Sequence, residues 1–186
     1  MIPHFGKHGG DPFAIVTLFC EFARETGVWY HSVPMEKSDV EMDLRNLADL
    51  FTDRARAVAA TVSRAADIDC AKRLIEQEAI KHGTENVGVA HATLGIASTG
   101  TCVIETDDEE TRLSTMLPET SIITLNTSDI VPSIADIAHY LRERQKDGRI
   151  SYTSLITGPS RTADIERVGA IGVHGPLNVH IILVEG

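Results

Sequence analysis

Small hydroxyls, glycines and cations gather in two stretches of the 186-residue sequence. The first is Ser98-Thr99-Gly100-Thr101. The second is Ile156-Thr157-Gly158-Pro159-Ser160-Arg161-Thr162, followed by Gly172-Val173-His174-Gly175-Pro176. Hydroxyls and unpaired backbone N–H groups beside a guanidinium suit a carboxylate or a phosphate. Gly158-Pro159 stops any strand ladder, because proline has no N–H to donate. The N–H groups after that tight turn are then available to an anion. Thr99, Gly100, Thr101, Arg112, Gly158, Ser160, Arg161, Thr162, His174 and Gly175 are the candidate ligand-binding residues. The plainer alternative is a strand-to-helix turn with Ser160 as its cap.

Other chemistries find less support. The chain has no G-x-x-x-x-G-K-[ST], no strand-anchored G-x-G-x-x-G and no G-x-S-x-G, so it shows neither nucleotide fingerprint nor a nucleophile elbow. Ser160 as a nucleophile would need a base, and His174 is merely the nearest histidine in sequence. His91 ends a strand and reads as a half-buried structural histidine or a site residue. Asp164 and Glu166 read as acid–base groups or as charges favouring a helix N-terminus. No residue is assigned a catalytic role. His4 and His8 are spaced for a metal only on a helix, which Gly6, Gly9 and Gly10 oppose.

The elements that must carry these residues alternate along the chain. Residues 1–10 form a loose arm, and residues 11–186 form a single α/β domain. Asp11-Pro12 starts a helix that carries Ile15, Leu18, Phe19 and Phe22 and stops at Gly27. Val28 to Val33 reads as a strand. Ser38-x-x-Glu41 is a capping box ahead of Leu44, Leu47, Ala48 and Phe51. Ala57 to Val62 reads as a short buried strand, with helix as the alternative. A helix follows from Asp67 to Lys81, then strands at Asn86–His91, Cys102–Ile104 and Ser121–Leu125. A helix carrying Ile130, Ile134, Ile137 and Leu141 ends in the charges from Arg142 to Lys146, which suit the negative end of its dipole. Thr153–Ile156 and Asn178–Val184 complete the strands. Helices alternating with short, nearly unbroken apolar strands predict a mostly parallel sheet with helices on both faces. In such sheets ligands sit at the carboxyl ends of strands, and the two glycine-hydroxyl turns are the candidates for one shared site.

The totals narrow the partners. Lys and Arg number 17 against 27 Asp and Glu, a formal charge of −10. That argues against nucleic acid or an anionic membrane as partner but leaves room for a locally positive pocket. The 3 cysteines, Cys20, Cys70 and Cys102, are isolated. They form no iron–sulfur or zinc ligand set, and they fit a reducing compartment as small core residues. No apolar run reaches the roughly 20 residues of a membrane helix, and no secretory signal pattern is present. The expectation is a cytoplasmic protein that binds no cofactor through a recognisable motif.

Ile156 to Glu166 together with Gly172 to Pro176 resembles the lactate utilization protein C family, whose members carry the LUD domain. Val87 to Val103, with its Ser98-Thr99-Gly100-Thr101, looks like the other signature of that family, as does Arg112-Leu113-Ser114 leading to Leu117-Pro118. Ser98 stands where members tend to have an acidic residue. The resemblance spans residues 86–186; residues 11–85 match in general plan. It implies a fold similar to the sugar-phosphate isomerase, glucosamine-phosphate deaminase and CoA-transferase group. It implies the non-iron–sulfur subunit of a cytosolic system that oxidises L-lactate to pyruvate, with a pocket for a small anionic ligand. Iron–sulfur clusters are then expected on two partner subunits. The alternatives are a stand-alone enzyme acting on a phosphorylated or CoA-linked small molecule, and an assembly module whose glycine turns are structural.

Overall fold

Residues 37–146, 152–162, 170–171 and 175–185 are described by a computed structural model of the chain. The expected arm at 1–10, the helix from Asp11 to Gly27 and the strand from Val28 to Val33 lie outside the described residues.

Helix α1 (Lys37–Ala57) presents Ala48, Phe51 and Ala55 at i, i+3 and i+7, and all three are buried. Its end is closed by two hydrogen bonds, Ala60 N–H to Ala55 O and Ala59 N–H to Arg56 O, each 3.0 Å. This is the Schellman arrangement, which places the residue after the helix in the left-handed region. Ala59 occupies that position at φ 69°, where glycine is the usual residue. The strand expected at Ala57 to Val62 therefore starts later, as β1 (Thr61–Ala65). Ala57 is helical, and Val58 to Ala60 are used to end the helix.

Helix α2 (Ile68–His82) begins at Asp67, whose Oδ1 accepts from the Cys70 N–H at 2.6 Å, and stops at Gly83 with φ 84°. Strands β2 (Val87–His91), β5 (Thr120–Asn126) and β10 (Asn178–Val184) join β1 in a parallel sheet of order β1-β10-β5-β2. β10 lies second in that order, bonded on both sides, and this explains its nearly unbroken apolar run. Val62, Ile123, Leu125, Val179, Ile181 and Leu183 point to one face and pack with Phe51 of α1. Complete burial of each such side chain contributes about 1.5–3 kcal/mol. Ser63 and His180 point to the opposite face, toward Glu78 of α2. The expected parallel sheet with a helix on each face is present.

A second sheet was not expected. β3 (Leu94–Ile96), β4 (Thr101–Thr106), β6 (Ile130–Val131) and β7 (Tyr152–Ile156) form a sheet of order β6-β3-β4-β7. Its β3–β4 and β4–β7 pairs are antiparallel, which a short turn such as 97–100 can join. Ile130 belongs to β6, not to a helix. Pro132 disfavours helical backbone at Val131, and helix α4 (Ile134–Lys146) begins beyond it. Ile137 of α4 packs on Ile96 and Val103, and Tyr140 Oη and Arg144 Nε donate to Glu105 on β4. A short helix α3 (Glu109–Ser114) is capped by Asp108, whose Oδ2 accepts from the Thr111 N–H at 2.7 Å. β8 (Arg161–Thr162) and β9 (Ala170–Ile171) form an antiparallel pair.

Candidate functional site

The two glycine-hydroxyl turns meet, and the end of α1 is what joins them. Gly100 has φ 66°, and a Cβ there would lie 2.3 Å from Ala55 N. Gly158 has φ 72°, and a Cβ there would lie 2.5 Å from Val58 O. Both glycines thus let a turn press against the helix backbone, rather than against a ligand. Val58 O also accepts a 2.8 Å hydrogen bond from Arg161 Nη2. A cation on a helix-terminal carbonyl is favourable, both as a cap and through the helix dipole. Arg161 is exposed, so its other N–H donors face solvent.

Three threonine hydroxyls line up on the same two turns. Thr101 Oγ1 lies 2.7 Å from Thr99 Oγ1 and 2.8 Å from Thr157 Oγ1. β4–β7 pairing sets this contact, because Cys102 faces Ile156 in register and the next residues outward are Thr101 and Thr157. Thr101 is buried, whereas Thr99 and Thr157 are exposed. The second glycine run closes the other side. Ser160 N–H donates to Pro176 O at 3.0 Å, and a Cβ on Gly175 would touch Ser160 Cβ at 3.0 Å. Arg161 and the Thr157-Gly158 turn thus share Val58 O as their contact, and Thr99 joins them through Thr101; these residues, with Ser160 next to Arg161 in the chain, are here called the crest.

This crest lies at the amino-terminal edge of the parallel sheet, opposite to the expected carboxyl edge. Val58 lies three residues before β1, and Pro176 lies two residues before β10. The reason is topological: the turns belong to antiparallel strands of the second sheet, and they dock on the end of α1 that leads into β1.

The remaining expected residues divide. Arg112 is not brought to the crest. It stacks over the Tyr152 ring at 5.0 Å and lies 3.8 Å from Glu109. Tyr152 pairs with Thr106 at the far end of β7, about 16 Å of strand from Thr157. Ser160 does not cap a helix, because Arg161–Thr162 continue as strand β8. Thr162 is placed by its backbone in β8, and His174, Asp164 and Glu166 lie outside the described residues. Sequence reasoning left out Thr157 as a site residue. Its signal was a hydroxyl immediately before Gly-Pro, at the end of a strand.

Other titratable groups lie elsewhere. His91 Nδ1 is 3.0 Å from Thr124 Oγ1 at the carboxyl edge. Burial lowers its pKa, against the raising effect of Asp129. His180 Nε2 is 2.8 Å from Ser63 Oγ, and its Nδ1 is 3.4 Å from Glu78 Oε2 without forming a hydrogen bond. Burial lowers the His180 pKa and outweighs the nearby carboxylate. This contact is therefore between a neutral ring and a carboxylate near pH 7, not an ion pair. Burial pushes the Cys102 thiol up to about 12, which makes it an inert core residue. Among the described residues no group of three or more His, Cys, Asp or Glu is arranged to hold a metal ion. No helix among them is long and apolar enough to cross a membrane.

The α/β architecture is shared with a solved protein. A crystal structure of a DUF162 family protein from Deinococcus radiodurans superposes with a TM-score of 0.51 at 14% identity, covering 76% of this chain and 98% of that one. The LUD domain family model matches residues 83–184, and the chain belongs to this family. Lactate utilization protein C from Geobacillus thermodenitrificans is 38% identical over 101 residues, covering 53% of this chain and 42% of its own length. The protein of the same name from Bacillus licheniformis is 34% identical over 102 residues. The uncharacterized protein YkgG of Escherichia coli is 37% identical over 101 residues, 44% of its length. The matched part of this chain thus spans less than half the length of these relatives.

Proposed function

We propose that the chain serves lactate utilization by binding a small carboxylate at the crest formed by Thr99, Thr101, Thr157, Ser160 and Arg161. The observation that carries this reading is the placement of Arg161. One of its N–H groups is held on Val58 O, the same carbonyl against which the Thr157-Gly158 turn docks, and the side chain is exposed. A guanidinium fixed in this way has little orientation left to lose when it meets a carboxylate. The names of the two lactate utilization relatives support lactate as the metabolite.

In the fuller form of this reading, the chain is the non-iron–sulfur subunit of a cytoplasmic system oxidising L-lactate to pyruvate. Electrons from the substrate then leave through iron–sulfur clusters carried by two partner subunits. Support for this form comes from the family resemblance and from the isolated cysteines. Deleting the coding sequence tests it: growth on L-lactate should fail and growth on glucose should persist. Affinity capture of the tagged chain should bring down two cysteine-rich proteins. Unimpaired growth on L-lactate would refute the role.

A second reading rests on the same guanidinium and hydroxyls, which also suit a phosphoryl group. It makes the chain a stand-alone enzyme on a phosphorylated or CoA-linked small molecule. Turnover by the purified chain in a panel of sugar phosphates and acyl-CoAs would favour it, and silence across the panel would dismiss it.

A further inference from the structure

A second side-chain cluster lies on the face of the parallel sheet opposite α1. It joins Ser63 of β1, His180 of β10 and Glu78 of α2. Strand register brings the first two together. Thr61 pairs with His180 and Ser63 with Ile182, so Ser63 and His180 are diagonal neighbours on one face. Ser63 Oγ is 2.8 Å from His180 Nε2, and His180 Nδ1 is 3.4 Å from Glu78 Oε2. The ring is buried, and its Nδ1 has no hydrogen-bond partner. Burial raises the Glu78 pKa, but Lys81 and His180 outweigh it, so the carboxylate is ionised near pH 7. These contacts decide which nitrogen of the neutral ring carries the proton. With the hydrogen on Nε2, the lone pair of Nδ1 would be buried against a negative charge. With the hydrogen on Nδ1, the N–H faces Glu78, and Nε2 accepts from the Ser63 hydroxyl. The serine hydrogen then already rests on a base, and Ser63 keeps part of its surface open.

We propose that Ser63, His180 and Glu78 form a nucleophile, base and acid row that hydrolyses a small carboxylic ester, at a site separate from the crest. Backbone geometry supplies a donor for the oxyanion. Ala65 O accepts from Glu185 N–H at 2.8 Å, so Thr61, Ser63 and Ala65 turn their backbone groups toward β10. Val62 and Arg64 turn theirs away, and Arg56 Nη2 meets Val62 O on that side at 3.2 Å. The Arg64 N–H has no partner among the described residues. In serine hydrolases the N–H directly after the nucleophile serves the oxyanion. In the first step Ser63 Oγ bonds to the carbonyl carbon, and its proton passes to His180 Nε2. Glu78 stabilises the charged ring. The bond from the carbonyl carbon to the alkoxy oxygen then breaks, and that oxygen leaves as an alcohol with the proton from Nε2. Water next attacks the acyl-serine and gives a proton to Nε2. The bond from Oγ to the acyl carbon breaks, Oγ takes the proton back, and the acid departs. The site does not depend on the carboxylate reading of the crest, so the two stand or fall separately.

Labelling of the full chain with a fluorophosphonate probe, followed by peptide mass spectrometry, tests this directly. The phosphorus of the probe bonds to an activated serine oxygen as fluoride leaves. Ser63 should be labelled ahead of every other serine. The rate should rise with pH, with a midpoint below 6.5, and level off above it. Burial lowers the His180 pKa, Glu78 raises it, and Lys81 and His82 of α2 lower it further. An unassisted serine would show no such plateau. His180→Gln should slow the labelling by at least about 100-fold, the lower end of general-base catalysis. Glu78→Gln should slow it by about tenfold or more, through lost support of the charged ring. Hydrolysis of p-nitrophenyl acetate should be lost in Ser63→Ala. Labelling of Ser63 no faster than that of the exposed Ser98, or undiminished in a folded His180→Gln chain, would overturn the proposal. The wild-type labelling and its pH profile decide the matter even if a variant fails to fold.

Discussion

Replacing Gly100 by alanine isolates the joint on which the crest depends. Two effects add. The residue sits at φ 66°, a left-handed backbone that costs an L-residue about 1–2 kcal/mol. The new Cβ would also fall 2.3 Å from Ala55 N, 2.6 Å from Ala55 Cα and 2.7 Å from Arg54 C. All three are backbone atoms of α1, so no rotamer change relieves the overlap, and the helix end or the turn must move. Overpacking of this kind costs about 1–3 kcal/mol. Gly100→Ala should therefore lose about 2–5 kcal/mol in urea unfolding, with the midpoint lowered and the slope m unchanged. Gly175→Ala is the internal control. Its Cβ meets the side-chain Cβ of Ser160 at 3.0 Å, a contact that a small shift relieves. It should cost less than about 1 kcal/mol. A loss below about 0.5 kcal/mol in Gly100→Ala would refute the close docking of the turn on α1.

Further outcomes follow from the same geometry. Ala59→Gly should stabilise the chain by up to about 1 kcal/mol in the same unfolding assay, because Ala59 holds the left-handed end of α1 at φ 69°. A loss of stability would show that this residue is not strained. Burial holds the His180 pKa below the ordinary value of 6.5, so the folded state binds fewer protons than the unfolded chain as pH falls through 6.5. Stability should accordingly fall with pH in that range and level off below the folded pKa, with His91 adding in the same direction. His180→Gln should flatten part of this dependence, measured as the unfolding free energy from pH 7.5 to 5. An unchanged slope would mean that His180 is not held neutral. Phe51→Ala should cost about 3–5 kcal/mol by opening a cavity under the parallel sheet, and a heat-denaturation midpoint close to wild type would contradict the placement of that core.

What the sequence made legible follows from local physics. The apolar periodicity from Asp67 to Lys81 and the apolar run of β10 are local signals, and they placed the parallel sheet and a covering helix. The two hydroxyl-glycine turns were also visible, since Gly100, Gly158 and Arg161 are types with restricted uses. Their location was not. It depends on β4 and β7 pairing antiparallel in a second sheet, and β3 is three residues long with Gly95 at its centre. Such a strand has no period to detect. A Cβ on Gly95 would lie 2.5 Å from Leu125 Cδ2, so the glycine is dictated by packing that only the tertiary fold reveals. Ala57 to Ala60 shows the same limit. Alanine favours helix and valine favours strand, so the mixed run points both ways, and the choice was made by the hydrogen bonds that end α1. Arg112 looked like a partner for the turns because it is a cation near them in sequence. It lies in α3, which follows the Thr106 end of β4, where Tyr152 is paired, and so it sits at the opposite end of that sheet from the turns.

Arg161 offers the most direct test of the account. Titration of L-lactate into the wild-type chain and into Arg161→Ala, followed by calorimetry at low ionic strength, reads the crest without reference to any partner. Binding should be lost or weakened by at least about tenfold in the variant, the scale of one charge-assisted hydrogen bond. Its unfolding free energy should change by less than about 1 kcal/mol, because the Val58 O contact is exposed. Equal L-lactate affinity in the two proteins would contradict the central claim that this crest is the carboxylate site.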